Sequence, residues 1–243
     1  MKAKQKIAVF DVDGTLFRSS LLIELVEGLI KKGLFPAESE KGFNKEKKGW
    51  LERSAPYEDY INAVIKTFTE NIKGVKYSDF MDLGRELVDE QHKQTYVYTR
   101  SLINTLKKEG YYILAISQSP KGVLDEFCKN FAFDKVYGRM YHLGPEDRFT
   151  GEVGDLHLIA NKSNIVKRAV KKENLTLKES VGIGDTEGDI PFLEMVTYPV
   201  CFNPNRNLYR HAMINKWNIF VERKDMIYKV NTSDPYLKIL DIS

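Results

Sequence analysis

Residues 7–16 read Ile-Ala-Val-Phe-Asp-Val-Asp-Gly-Thr-Leu, a short apolar run that breaks abruptly into two aspartates. The run is typical of a buried β-strand, and buried strands avoid charge unless something neutralises it. Because residues i and i+2 of a strand point to the same side, Asp11 and Asp13 can serve one site. Hard oxygen ligands suit Mg²⁺, so the pattern favours a divalent cation at the end of this strand.

Two other interpretations of this stretch compete with a magnesium site. Asp13-Gly14 alone is also typical of a plain turn that leaves a strand. Asp-x-Asp also opens an EF-hand, but that calcium loop needs a third oxygen ligand and then a glycine where this chain has Thr15 and Leu16. EF-hand ligands follow a helix, whereas Asp11 follows a strand pattern, so we set the calcium interpretation aside.

The composition is that of an ordinary globular protein of one or two domains. The 243 residues are 42% hydrophobic and 29% charged, and the net charge of +3 is too small to indicate a nucleic-acid partner. The apolar run near the amino terminus is too short for a signal peptide, and residues 21–30 fall short of a membrane span. Cys128 and Cys201 lie far apart, without metal or redox spacing. We therefore expect a cytoplasmic protein with neither a membrane nor a nucleic-acid partner.

The chain between the first strand and residue 98 has the periodicity of amphipathic helices. Helices are predicted over 21–32, 56–71, 77–92 and 98–108. We expect residues 17–97 to form an α-helical cap inserted into a catalytic core of residues 1–16 and 98–243. One basic cluster in the cap is typical of a solvated loop rather than a nucleic-acid patch; it contains Lys41, Lys45, Lys47 and Lys48, with Phe43 and Trp50.

Beyond residue 110 strands alternate with helices, which predicts an α/β fold with a doubly wound, mostly parallel, Rossmann-like sheet. Such sheets bind ligands at the carboxyl ends of their strands, where Asp11, Ser117 and Asp185 lie. Ser119 and Pro120 have the residue types of a helix start, with serine at the N-cap and proline at N1. Strands are predicted over 112–116, 135–139, 180–184, 199–202 and 218–221, a hairpin over 140–153 and a helix over 158–173.

Residues 180–189, Ser-Val-Gly-Ile-Gly-Asp-Thr-Glu-Gly-Asp, again place acids after an apolar strand. Asp185 and Asp189 are close enough to converge on one site if a turn follows the strand. The glycines resemble a dinucleotide-binding fingerprint only loosely, because the spacing differs and Asp185 would oppose a pyrophosphate. A helix N-cap is an alternative role for Asp189, but it suits Asp185 poorly because that residue directly follows the strand.

Lys162 and Ser117 are candidates for binding an anion beside these acids. Lys162 lies on the apolar stripe of the helix predicted over 158–173, and an inward-facing lysine is costly unless a carboxylate pairs with it. Lys167, on the polar face of that helix, is the weaker candidate. Ser117 ends a strand just before a helix start, a position typical of a phosphate cradle.

Together these pieces resemble the motifs of the haloacid dehalogenase-like hydrolase superfamily, whose members are mostly phosphatases. The matching positions, in the order of the four motifs, are Asp11-Val-Asp13-Gly-Thr15, Ser117, Lys162, and Gly184-Asp185 with Asp189. Three further features resemble those of the phosphoserine-phosphatase-like branch. They are the separation of the third and fourth motifs, the helical cap after the first motif and the segment 199–204. Ser20 stands where phosphoserine phosphatases carry a glutamate, with Glu24 a turn later, so phosphoserine itself is not the favoured substrate.

The resemblance implies hydrolysis of a small polar phosphomonoester through an aspartyl phosphate. Asp11 would be the nucleophile and Asp13 the acid and base. Mg²⁺ would be held by Asp11, the Asp13 main-chain carbonyl and Asp185, with Asp189 in the metal site to orient a bound water or the lysine. The implied substrate-binding residues are Ser117, Lys162, Gln118 and Arg53, and the cap residues considered for selecting the leaving group are Arg53, Glu24 and Tyr57.

Two alternatives to a phosphatase stay open at this point. A phosphotransferase or phosphomutase would use the same aspartyl phosphate with an acceptor other than water. A non-catalytic protein would bind a phosphoryl ligand without turnover, but such a protein has no need of an acid and base at Asp13. Dehalogenation is disfavoured, since a halide leaving group requires neither that acid nor a metal ion.

Overall fold

Eight strands form one sheet in the computed structural model, which describes residues 4–155 and 161–231. The strands are β1 (Gln5–Asp11), β2 (Tyr112–Pro120), β3 (Lys135–Leu143), β4 (Phe149–Gly154), β5 (Leu175–Gly184), β6 (Tyr198–Phe202), β7 (Asn218–Arg223) and β8 (Met226–Val230). Their order is β4-β3-β2-β1-β5-β6-β7-β8. The strands from β3 to β7 in this order pair in parallel, and β4 and β8 are antiparallel edge strands.

Helices connect these strands, and most of the helical residues stand between β1 and β2. That insert contains α1 (Leu21–Lys31), α2 (Asn44–Leu51), α3 (Tyr57–Asn71), α4 (Tyr77–Gln91) and α5 (Val97–Lys108). The later helices are α6 (Lys121–Cys128), α7 (Lys162–Lys172), α8 (Ile190–Leu193) and α9 (Arg206–Asn215). The predicted α/β fold, with a mostly parallel, doubly wound sheet and an α-helical insert, is therefore confirmed.

The central strand β1 is buried on both faces, which explains its continuous apolar run. Ile7 and Val9 pack into one hydrophobic core, whereas Ala8 and Phe10 pack into the core on the opposite face of the sheet. Successive side chains of a strand alternate between faces, so a strand covered on both sides requires apolar residues at every position. The run therefore ends where the strand leaves the two cores, at Asp11.

The helical insert packs against the core through α4 and α6. A Cβ atom on Gly84 of α4 would lie 2.6 Å from a Val123 methyl of α6, so the two helices approach closely at this glycine. Phe10 from the sheet shares one hydrophobic cluster with Phe68 and Phe80 of the insert. The division into a cap of residues 17–97 and a core of the remainder stays a prediction.

The basic cluster of the insert does not expose a set of aromatic rings. Phe43 is buried against Tyr60, with ring centroids 6.2 Å apart. Lys47 pairs with Glu27 at 2.6 Å. Across residues 4–155 and 161–231, the helices are too short or too polar to cross a lipid bilayer.

Two features differ from the sequence-based expectations. The predicted helix is present but begins one residue later than expected, at Lys121 with Pro120 as its N-cap residue, so the N-cap role predicted for Ser119 is wrong. Ser119 bonds to neighbouring site residues instead of capping a helix. Strand β8 had no sequence signal, since its apolar residues are exposed and do not alternate. Of the helix predicted over 158–173, residues 158–160 lie outside the described part of the chain.

Candidate active site

The ends of three adjacent strands bring the motif residues together. Strand β1 lies between β2 and β5 and is parallel to both, so their carboxyl ends meet at one edge of the sheet. Asp11 is the last residue of β1, Ser117 lies near the end of β2, and Asp185 directly follows β5. Lys162 is the first residue of α7, so the amino-terminal end of that helix also faces this edge.

Lys162 joins two of the acids in a buried ion-pair network. Its Nζ donates to Asp11 Oδ1 at 2.6 Å and to Asp189 Oδ1 at 2.5 Å. Lys162 is 6% exposed and Asp11 4%, while Asp189 is fully buried. A buried lysine is stable only with such partners, so this network explains the lysine on an apolar stripe.

Asp189 also fixes the turn that follows β5. Its Oδ2 accepts hydrogen bonds from the main-chain N–H groups of Asp185, at 3.0 Å, and Thr186, at 3.1 Å. A Cβ atom on Gly184 would lie 2.5 Å from Asp189 Cγ, so the turn closes only with glycine there. The capping alternative for Asp189 holds in part: Asp189 is the N-cap residue of α8 but makes no side-chain capping bond there, and its side chain instead completes a capping box with Thr186, the N-cap residue of a short 3₁₀ turn.

Asp185 lies against the turn after β1. Thr15 Oγ1 donates to Asp185 Oδ1 at 3.3 Å. Gly14 has a φ of +79°, and a Cβ atom there would lie 2.2 Å from Asp185 Oδ2. The glycine is therefore needed both for the left-handed backbone and for the approach of the carboxylate. Ligand oxygens of Asp11, Asp185 and Asp189 all lie within 4.8 Å of one another.

The charges in this cluster do not balance. Three carboxylates surround Lys162, whose pKa is raised because the charges of Asp11 and Asp189 outweigh the lowering effect of burial. Burial raises the pKa of Asp11 to about 7, with Lys162 opposing the shift and Asp189 reinforcing it. Burial and the charges of Asp11 and Asp189 raise the pKa of Asp185 well above its ordinary value. This excess of buried negative charge and the all-oxygen donor set fit a divalent cation.

The carboxylate of Asp13 points away from this cluster. Its Oδ1 accepts from the Leu21 N–H at 2.6 Å, and its Oδ2 accepts from Ser119 Oγ at 2.9 Å and from Ser117 Oγ. Burial raises the pKa of Asp13, and these three hydrogen bonds oppose that shift. A metal contact through the Asp13 main-chain carbonyl stays a prediction.

Ser119 is a site residue that sequence reasoning missed. Its side chain is 1% exposed, and its main-chain N–H donates to Ser117 Oγ at 2.8 Å while its hydroxyl donates to Asp13. The available signal was its spacing from Ser117, since residues two apart on one strand share a face. The apparent helix start at Ser119-Pro120 obscured that signal.

The insert contributes Tyr57 to the site more directly than Arg53. Burial raises the pKa of the Tyr57 phenol, and the carboxylates of Asp13 and Asp185 raise it further, which places this ring within reach of their charge. Tyr57 also packs edge-on against Trp50 with centroids 5.3 Å apart. Arg53 is exposed, with its guanidinium 5.0 Å above the Trp50 ring.

Two further candidates are held by contacts of their own. Glu24 accepts hydrogen bonds from Ser19 Oγ at 2.7 Å and Gln91 Nε2 at 3.0 Å, so its carboxylate is bound within the insert. Gln118 directly follows Ser117, and its Oε1 accepts from Arg139 Nη2 at 2.5 Å. Sequence reasoning did not identify Arg139.

Comparison with other proteins places this geometry among hydrolases. A family model described as haloacid dehalogenase-like hydrolase matches residues 8–194. Histidinol-phosphatase from Neisseria meningitidis serogroup C (strain 8013) is 24% identical over 225 residues, which span 88% of this chain and 98% of that protein. Phosphoserine phosphatase from Archaeoglobus fulgidus is 22% identical over 203 residues, 82% of this chain and 53% of the relative.

Solved structures share the fold over most of the chain. One described as a phospho-aspartyl intermediate analogue of phosphoserine phosphatase has a TM-score of 0.64 at 20% identity, covering 92% of this chain and 96% of that one. A protein of unknown function from Bordetella pertussis Tohama I has a TM-score of 0.69 at 17% identity, covering 89% and 98%. From the family match over most of its length, the chain belongs to the haloacid dehalogenase-like hydrolase family.

Proposed function

We propose that this hydrolase is a Mg²⁺-dependent phosphatase that cleaves a small polar phosphomonoester through an aspartyl phosphate on Asp11. The observation that carries the proposal is the buried network of Asp11, Lys162 and Asp189, with Asp185 beside it at the strand ends. The family match and the relatives named as phosphatases support the same chemistry.

Asp11 acts as the nucleophile in this proposal. Its Oδ1 is bound by Lys162, so Oδ2 attacks phosphorus and the bond from phosphorus to the leaving oxygen breaks. Burial favours the neutral form of Asp11, and the positive charges of Lys162 and a bound cation favour the ionised form. Once ionised, a carboxylate suits this role because it can attack without a base to remove a proton. Lys162 and Ser117 bind the phosphoryl oxygens, where positioning and charge stabilisation dominate catalysis.

Asp13 moves the protons. In the first step it protonates the leaving alkoxide, and in the second it takes a proton from the water that cleaves the aspartyl phosphate. Its raised pKa favours the protonated form that the first step requires. Ser117 donates to Asp13 in the absence of substrate, so this hydroxyl must turn from Asp13 to the phosphoryl group when substrate binds.

Asp11, Asp185 and the Asp13 main-chain carbonyl are the groups we assign to Mg²⁺. When bound, the ion would offset negative charge between the nucleophile and the phosphoryl oxygens. Both oxygens of Asp189 already accept hydrogen bonds, from Lys162 and from the turn after β5. We therefore give Asp189 the role of orienting Lys162 and the Asp185 turn within the metal site.

A phosphotransferase or phosphomutase would use the same Asp11 chemistry with another acceptor. Adding an alcohol or a sugar distinguishes the cases, because a transferase would then form a new phosphomonoester in place of free phosphate. The donors that hold Asp13 in place favour an enzyme over a passive phosphoryl-binding protein. We place the enzyme in the cytoplasm, in keeping with Cys128 and Cys201, which are free and buried.

The test is phosphate release from a panel of phosphomonoesters, with Mg²⁺ and with EDTA. We expect release from at least one member with Mg²⁺, its loss in EDTA and its recovery when Mg²⁺ is restored. Absence of release from every member by folded, Mg²⁺-loaded protein would overturn the proposed function. Release that is unaffected by EDTA would overturn its metal dependence.

A further inference from the structure

Arg139 of β3 lies between the phosphoryl-binding strand and the helical insert. Its Nη2 donates to Gln118 Oε1 at 2.5 Å, and Gln118 directly follows Ser117. Burial raises the pKa of the Tyr141 phenol and the charge of Arg139 opposes that shift, so the two groups interact, and the Tyr141 ring packs against Phe68 of α3 with centroids 5.1 Å apart. The guanidinium is therefore held beside the end of β2, and the Tyr141 ring with which it interacts contacts the insert.

The guanidinium has more donors than the protein satisfies. Its Nε is buried and has no hydrogen-bond partner among the described residues. None of the ion pairs that those residues form includes Arg139. Within residues 4–155 and 161–231, this half-buried cation has neutral neighbours and lacks the anionic partner that normally offsets the desolvation of a charge.

We propose that Arg139 binds a second anionic group of the substrate, a carboxylate or a second phosphate. This inference rests on the proposed function and narrows its substrates to phosphomonoesters whose alcohol portion is itself an anion. The planar guanidinium suits such a group because two parallel N–H donors match two anionic oxygens. In this arrangement Lys162 and Ser117 serve the transferred phosphoryl group, and Arg139 serves the leaving group.

Gln118 and Tyr141 act as positioning residues in this arrangement. Gln118 fixes one edge of the guanidinium through its hydrogen bond, Tyr141 interacts with the same charge, and neither side chain neutralises it. Because Tyr141 packs on α3, the position of Arg139 is coupled to the position of the insert. The second anionic group of the substrate would thus be bound where the insert meets the sheet.

Matched substrate pairs test this inference. The carboxylate arm compares 3-phosphoglycerate with glycerol 3-phosphate, and the phosphate arm compares fructose 1,6-bisphosphate with fructose 1-phosphate and fructose 6-phosphate. The readout is kcat/KM for phosphate release with Mg²⁺. We expect wild type to prefer the more anionic member of at least one arm by about tenfold or more, a typical contribution of one charge-assisted contact.

The variants are Arg139→Met, which removes the charge at similar length, and Arg139→Gln, in case methionine does not fold. We expect either variant to reduce the anionic preference about tenfold and Arg139→Lys to retain part of it. Arg85→Met is the matched control, because Arg85 is exposed on α4 and pairs only with Asp82 among the described residues. Its preference should equal that of wild type.

Two results would overturn this inference and leave the proposed function intact. One is a wild-type enzyme that releases phosphate but shows no anionic preference in either arm. The other is an Arg139 variant that loses activity equally on both members of a pair, since this would mean that the arginine only positions Gln118. A wild-type enzyme that releases phosphate from no compound, including p-nitrophenyl phosphate, would instead refute the proposed function and this inference with it.

Discussion

Lys162 is the buried cation that holds two of the carboxylates at the site. Without it, Asp11 and Asp189 would be buried without their positive partner. We therefore expect Lys162→Met to lower the free energy of unfolding of the metal-free protein by about 3–5 kcal/mol. Urea unfolding in EDTA measures this change. Lys167→Met is the control, because Lys167 is exposed on the same helix, and a loss as small as that of the control would contradict the account.

Ser119 has a testable role as the residue that keeps Asp13 in place. Ser119 Oγ donates to Asp13 at 2.9 Å, and in the proposed reaction it keeps this bond when Ser117 turns to the phosphoryl group. A general acid matters most for a poor leaving group. We expect Ser119→Ala to lower kcat by about tenfold or more for an alkyl phosphate and by less than about threefold for 2,4-dinitrophenyl phosphate.

The control for Ser119 is Ser180→Ala. Ser180 is equally buried, but its hydroxyl donates to the Leu177 carbonyl within β5, away from the acids. This variant should change kcat for both substrates by the same small factor. If Ser119→Ala lowers kcat equally for the two substrates, the serine supports only the local structure.

At the scale of elements, the ends of β1 and β5 bring the buried carboxylate of Asp11 close to that of Asp185, which makes stability depend on pH. The pKa of Asp11 rises from 3.8 to about 7 on folding. A group whose pKa is raised stabilises the folded state below its ordinary pKa, and that contribution is lost as the pH rises through the folded value. Metal-free protein should therefore lose stability between these two pH values.

Mg²⁺ should oppose that loss if it binds as proposed, because a metal ion binds carboxylates in their deprotonated form. The gain in melting temperature on adding Mg²⁺ should be larger at about pH 8 than at about pH 5. Thermal unfolding in Mg²⁺ and in EDTA measures both values. An equal gain at the two pH values would mean that the ion does not bind at these acids.

The turn after β1 depends on one glycine. Gly14→Ala would introduce a Cβ atom 2.2 Å from Asp185 Oδ2, at a backbone φ of +79°. We expect this variant to displace Asp185 and to weaken Mg²⁺ binding by about tenfold or more. Isothermal titration measures the affinity. Gly33→Ala, at a φ of +72° with open space around it, is the control for backbone strain alone.

On the scale of the whole molecule, the sequence predicts best those features that follow from a local residue pattern combined with the geometry of a parallel sheet. The apolar run before Asp11, the second run before Asp185 and the inward position of Lys162 predicted a shared strand-end site. Their meeting depends on parallel pairing of β1 with β2 and β5, which the alternation of strands and helices predicted.

Contacts made across strands and between the insert and the sheet could not be predicted in the same way. Arg139 meets Gln118 only because β3 pairs with β2, and its register is not visible in either segment. The local residue types around Ser119 predict a helix cap, and only the pairing of β2 with its neighbours places this serine beside Asp13. The exposed apolar residues of β8 gave no alternation that would mark a strand.

The most direct test of the central claim is the site of phosphorylation during turnover. Enzyme mixed with substrate and Mg²⁺ is quenched in acid within one turnover, and the phosphoryl adduct is located by peptide mass spectrometry. We predict one phosphoryl group on the peptide that contains Asp11, and none in folded Asp11→Asn, which should also release no phosphate. A phosphoryl group on another residue, or wild-type turnover by Asp11→Asn, would contradict the account.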